Sequence, residues 1–278
     1  MLSALVTATL AAAPLTVGVT LHPYYSWAAN VTEGLPVEVV PVIPGDVDVG
    51  SYQPRPQDVA TLARLDVLVV NGLGHDAFID EMVKASGNAR VKVVRLNEGT
   101  PVLVSHGAEG PNSHTFLSFG NAMAQTFVLA RALAELRPEW RATLEANAAS
   151  YTKRLRALRA TAVTKLARAK QRRVITVHDG YSYLLQELGL ELAAVVEPAH
   201  GLLPTAQELD VVVGLVKRNE VRVVLSEASF PPAMLAVLRE AGAEVTVVSH
   251  VATGDFTARR FEDELKMSVE ALVGALTR

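Results

Sequence analysis

Val174-Ile175-Thr176-Val177-His178-Asp179 is an apolar, β-branched run that stops on a histidine and an acid, and reading it as a strand decides the fold. Branched side chains suit a pleated backbone, and a run that is apolar at successive positions suits a strand covered on both faces. Near the start of the chain Val17-Gly18-Val19-Thr20-Leu21-His22-Pro23 again runs apolar into a histidine. Further short runs of this kind fall at 37–42, 66–70 and 91–96 in the first half and at 193–196, 221–225 and 245–248 in the second, with helical segments between them. Strands alternating with helices predict an α/β architecture of two lobes, each a parallel sheet flanked by helices. A chain of 278 residues, half of them hydrophobic, exceeds an ordinary domain of roughly 100–200 residues and suits two.

From 121 to 173 there is no glycine and only Pro138 interrupts, which predicts a helix, a restart and a second long helix. Leu144, Ala148, Tyr151, Leu155, Leu158, Ala162 and Leu166 follow three-and-four spacing and form one apolar stripe able to pack on both lobes. The expected division is an N-terminal lobe over 14–137, a connecting helix over 138–173 and a C-terminal lobe over 174–278. A stiff connector predicts only a small lobe movement when a ligand binds. The many Lys and Arg of the connector alternate with its stripe, as a solvated face does, and the net charge is −3. Nucleic acid is therefore not an expected partner.

Residues 1–13 are apolar and end in Ala11-Ala12-Ala13, as a secretory signal peptide and its cleavage site do, which places the mature chain in a periplasm or outside the cell. No other apolar run approaches the roughly 20 residues that span a bilayer. There is no cysteine, so disulfides, thiolate metal sites and a lipid-bearing thiol are absent together. Any transition-metal site must use nitrogen and oxygen.

In open α/β sheets ligands sit beyond the carboxyl ends of the strands. Four of the seven histidines are expected there: His22 and His178 at strand ends, His250 two residues past a strand, and His114 in a loop just before the interlobe helices. A lone histidine at a strand end is more often structural, but four together favour a site, because neutral imidazole is the commonest nitrogen ligand for zinc and its neighbours. Glu227, in Leu225-Ser226-Glu227, follows another strand and is expected to orient a ligand histidine. The turn Asn71-Gly72-Leu73-Gly74-His75-Asp76 offers two glycines to a phosphate, but Ala77 stands where the dinucleotide fingerprint needs a third, so the pair reads as a tight strand-to-helix turn.

The order of these motifs resembles the cluster A-I solute-binding proteins of zinc- and manganese-type metal ABC transporters over nearly the whole mature chain. Residues 45–58 look like that family's first ligand loop, Asn112-Ser113-His114 sits where it has an Asp-Pro-His triplet, and the stretch from His178 to Leu184 looks like its third ligand motif. Two positions depart. The first ligand histidine would fall at Gly50, which has no side chain to coordinate, and the last, usually an aspartate, would fall near Ser249, with His250 beside it. The resemblance carries over His114 and His178 directly. His22 and His250 are expected to complete a tetrahedral set of four imidazoles.

The function implied is capture rather than catalysis: a monomeric binding component takes up a divalent metal, zinc before manganese or another first-row ion, and delivers it to a membrane permease. The alternative is the same fold holding a non-metal solute or a metal chelate because of Gly50. A zinc hydrolase with Glu227 as general base is a third reading, but no His-Glu-x-x-His pattern supports it and no enzyme activity is expected.

Overall fold

The structure, a computed structural model, describes residues 14–47, 49–106, 110–197 and 202–278; the expected signal segment 1–13 lies outside these. The N-terminal lobe is built on β1 (Leu15–Val19), β2 (Val37–Pro41), β3 (Val67–Val70) and β4 (Lys92–Arg95), all parallel in the order β2-β1-β3-β4. The C-terminal lobe repeats the plan with β5 (Arg173–Thr176), β6 (Glu191–Val195), β7 (Val223–Ser226) and β8 (Glu244–Val247), in the order β6-β5-β7-β8. The central strands are buried on both faces: Val67, Leu68, Val69 and Val70 are all at most 1% exposed, as a near-continuous apolar run requires. β1 and β5 are equivalent in the two sheets, and so are β3 and β7.

Helices α1 (His22–Val31), α2 (Pro56–Leu62) and α3 (Ile79–Ser86) serve the first sheet, and α6 (Ser182–Glu187), α7 (Ala206–Lys217) and α8 (Pro232–Glu240) the second. Between them run α4 (Phe119–Leu136) and α5 (Arg141–Leu166), separated at Pro138. Pro138 lacks the N–H that would continue α4 and opens a short tight turn, from which α5 restarts. At 1.5 Å per residue the 26 residues of α5 span about 39 Å. Leu144, Ala148, Tyr151, Leu155, Ala162 and Leu166 of its stripe are buried and Leu158 is partly so. The last helix, α9 (Arg260–Leu276), returns from the C-terminal lobe to pack on both α5 and α1.

One hydrophobic cluster runs from Val17 and Val69 in the first sheet through Leu133, Leu155 and Leu272 on the helices to Val174 and Leu225 in the second. A separate, smaller cluster lies between the other face of the second sheet and α7 and α8. The lobes therefore share a core instead of meeting across a wet hinge.

A second tie crosses between the lobes beside β2. The Gly254 N–H donates to the Gly45 carbonyl at 2.6 Å, and a Cβ on Gly45 would stand 2.3 Å from the Gly254 oxygen. Gly254 itself has φ +111°, a backbone that side chains disfavour. Ser26 donates to the Thr257 carbonyl at 2.8 Å and Asn30 to the Ala258 carbonyl at 2.7 Å, so the segment before α9 lies strapped along α1. Among the described residues no helix is long and apolar enough to cross a membrane.

Candidate metal centre

All the residues of interest leave the carboxyl ends of strands, where the two sheets face each other. In the first lobe β3 ends in the turn from Asn71 to Asp76. Gly72 (φ +82°) and Gly74 (φ +86°) make the reversal, so these glycines serve the turn. The buried Asp76 carboxylate holds it, accepting from the Asn71 N–H at 2.7 Å and the Thr20 hydroxyl at 2.6 Å. Burial pushes its pKa above the ordinary carboxylate value, while these donors pull it down. The turn thereby presents His75, whose Nδ1 lies 3.1 Å from the Ser113 hydroxyl, and Asn71 reaches the Ser113 carbonyl at 2.9 Å. The loop after β4 is fixed to the loop after β3.

His114 follows in that second loop. Its Nδ1 is 3.0 Å from Asn112 Oδ1, while Asn112 Nδ2 donates to the Asp179 carbonyl of the other lobe at 2.7 Å. An amide that donates through nitrogen must accept through oxygen, so His114 carries its proton on Nδ1 and leaves a lone pair on Nε2. His178 follows β5, and its Nδ1 meets Glu227 Oε1; His250, beyond β8, places its Nδ1 3.3 Å from Glu227 Oε2. One carboxylate thus lies against the Nδ1 atoms of two imidazoles, a placement that turns both Nε2 atoms away from it. Tyr181 supports Glu227: its hydroxyl lies 3.5 Å from Oε1 and 3.2 Å from the Val248 carbonyl. Burial, with the Glu227 charge beside it, pushes the phenol well above its usual range and keeps it an O–H donor.

His114 Nε2 and His178 Nε2 lie 3.2 Å apart, one ring from each lobe. Nitrogen ligands at 2.0–2.1 Å from a tetrahedral ion are themselves about 3.3 Å apart, so the pair already has the spacing of one edge of such a site. His75 flanks it on the His114 side, with ring centroids 4.8 Å apart, and His250 on the His178 side, at 5.2 Å. Among the described residues no three donors yet converge on one point. A four-imidazole site would need His75 and His250 to turn toward the pair.

Val251 shapes the last arm. It has φ +56°, unusual for a β-branched residue, and its side chain is fully buried. The reversed backbone sends Val251 into the core while His250 turns to Glu227.

Of the four histidines expected as ligands, the structure brings His114, His178 and His250 together and keeps His22 apart. His22 opens α1, donates from Nε2 to the Gly254 carbonyl at 2.7 Å and stacks on Phe256, with centroids 4.0 Å apart and planes 4° from parallel. Its role here is in the strap between the lobes. His75 takes the flanking place instead. In the sequence its neighbours read as turn glycines, although it follows a strand end as the others do.

A profile described as zinc-uptake complex component A, periplasmic, matches residues 17–275. The chain belongs to the ZnuA family. Its fold also matches the solute-binding protein FpvC of Pseudomonas aeruginosa in complex with Mn²⁺, with 38% identity, a TM-score of 0.87, and 94% of this chain and 98% of that one covered. The Ni²⁺ complex of FpvC gives 39% identity and a TM-score of 0.85, covering 95% and 97%. The iron-binding protein YfeA of Yersinia pestis is 27% identical over 216 residues, which is 73% of this chain and 67% of that protein. As a ZnuA-family member the chain keeps the two-lobed frame, and Gly50, which has no side chain to coordinate, is exposed.

Proposed function

We propose that the chain is the solute-binding component of a metal-uptake ABC transporter, capturing a divalent transition metal between its lobes and delivering it to a membrane permease. The observation that carries this reading is the pair of Nε2 atoms, of His114 and His178, held 3.2 Å apart in a buried setting between the lobes. His75 and His250 supply the remaining nitrogens, and Glu227 orients His178 and His250. An all-imidazole set favours zinc, with manganese or another first-row dication second, because manganese prefers more oxygen. The metal-bound FpvC structures and the iron-binding YfeA support a metal cargo.

The chemistry is ligand exchange without turnover. Neutral imidazoles displace water from the ion, rings from both lobes share it, and the chain works in a periplasm or outside the cell as a monomer. The test is elemental analysis of the purified chain, then chelation, dialysis against zinc and titration calorimetry. One ion per chain is expected, with stoichiometric binding lost in the His114→Ala/His178→Ala double variant. A wild-type chain that retains no zinc, manganese, nickel or iron would overturn the reading.

A further inference from the structure

A cavity of about 450 Å³ opens in the C-terminal lobe between the loops after β7 and β8 and the helix α9, and two of its walls, Glu227 and His250, belong to the histidine centre. These are also the most accessible members of that centre: their side chains are 14% and 12% exposed, against 4% for His178. Water therefore meets the centre from this side. The remaining charges in the cavity are Glu264 and Arg260, which lie 3.0 Å apart, and Arg260 also donates to the Thr253 carbonyl at 2.5 Å. With His250 neutral, two carboxylates against one guanidinium leave one net negative charge. Such a lining gathers cations and disfavours an anionic chelate.

Size points the same way. At about 30 Å³ per water, a dication with six waters displaces on the order of 200 Å³, so the cavity takes the hydrated ion with room to turn. The histidine pair beyond is too tight for anything but a stripped one.

We propose that this cavity is the antechamber of the metal centre: a hydrated divalent cation collects there and passes inward past Glu227 and His250, exchanging its waters for imidazole nitrogen one at a time. No bond to carbon or change of oxidation state is involved. The inference rests on the reading of the histidines as a metal site.

The test is stopped-flow binding of zinc alone to the metal-free full chain, followed with a competing indicator dye. Ser229→Phe and Ala271→Phe narrow the cavity from its two sides without touching a histidine, and Glu264→Gln removes its net charge. Melting curves check that each variant folds. Each narrowing is expected to slow association about tenfold, and Glu264→Gln about threefold to tenfold at low salt, an effect that shrinks as salt rises. Dissociation should slow in step in the narrowed chains, leaving Kd where it was. Unchanged association in both narrowed chains, or a raised Kd at an unchanged rate, would overturn the proposal. So would zinc citrate binding faster than free zinc in the wild type and losing that advantage in the narrowed chains, since the cavity would then hold a chelate. Failure of the wild type to bind zinc at all would instead remove the metal site itself.

Discussion

His114 and His178 face each other Nε2 to Nε2 across 3.2 Å, the first with its Nδ1 3.0 Å from Asn112 Oδ1 and the second with its Nδ1 against the Glu227 carboxylate. Structural zinc sites with four ligands bind with roughly 10–16 kcal/mol, or about 3 kcal/mol per ligand. At 1.4 kcal/mol per decade, replacing either residue by alanine should weaken zinc about a hundredfold. His75→Ala and His250→Ala should also weaken it, whereas His22→Ala should leave affinity unchanged. Calorimetry on the five single variants decides the ligand set, and a His22→Ala loss as large as the His178→Ala loss would overturn it.

Glu227 serves two rings with one carboxylate. Glu227→Gln keeps the shape but leaves one acceptor oxygen, and its NH₂ faces the Nδ1–H of the other imidazole. Zinc affinity should fall about 10–100-fold, the usual effect of losing an outer partner, while the melting temperature of the metal-free chain changes little. An affinity equal to wild type would show that the carboxylate orients nothing.

Gly45 has no room for a side chain, because the Gly254 carbonyl occupies the place of a Cβ and belongs to backbone that cannot swing aside. Gly45→Ala should cost about 1–3 kcal/mol, as overpacking does. In a chain of this size that lowers the melting temperature by about 2–4 °C per kcal/mol. A variant as stable as wild type would mean that the strap is loose.

Burial lowers the pKa of His22 below its ordinary 6.5, so as pH falls through 6.5 the unfolded chain takes up a proton on this ring while the folded chain holds it neutral. The unfolded state then binds the extra proton, and this contribution to stability is present above pH 6.5 and lost as pH falls through 6.5 toward the folded value. His22→Gln keeps an N–H donor for Gly254 without titrating. Its stability relative to wild type should improve between about pH 7 and 5, read by urea unfolding; a constant difference across that window would argue against a neutral buried His22.

The strands were legible because parallel β-structure covered on both faces leaves unbroken apolar runs such as 67–70 and 174–177, and the helix restart was legible in Pro138. His114, His178 and Glu227 could be found from their places after strands and loops. What one sequence does not carry is the direction in which a side chain leaves a strand end. His22 and His178 follow equivalent strands, yet one rotates to Gly254 and Phe256 and the other to Glu227. His75 follows β3 as Glu227 follows β7, a correspondence visible only once the two sheets are aligned.

The backbone contact between Gly45 and Gly254, with the core shared along α5, clamps the frame before any cargo arrives. Such a frame is expected to keep nearly the same silhouette empty and full. A membrane partner that judged it by outline would dock both alike, and unloaded copies would then act as competitive inhibitors of uptake. For such a partner the ratio of loaded to total protein, and not the loaded concentration alone, would set the rate of transport, and any discrimination would have to come from side chains and loop tips at the mouth of the centre.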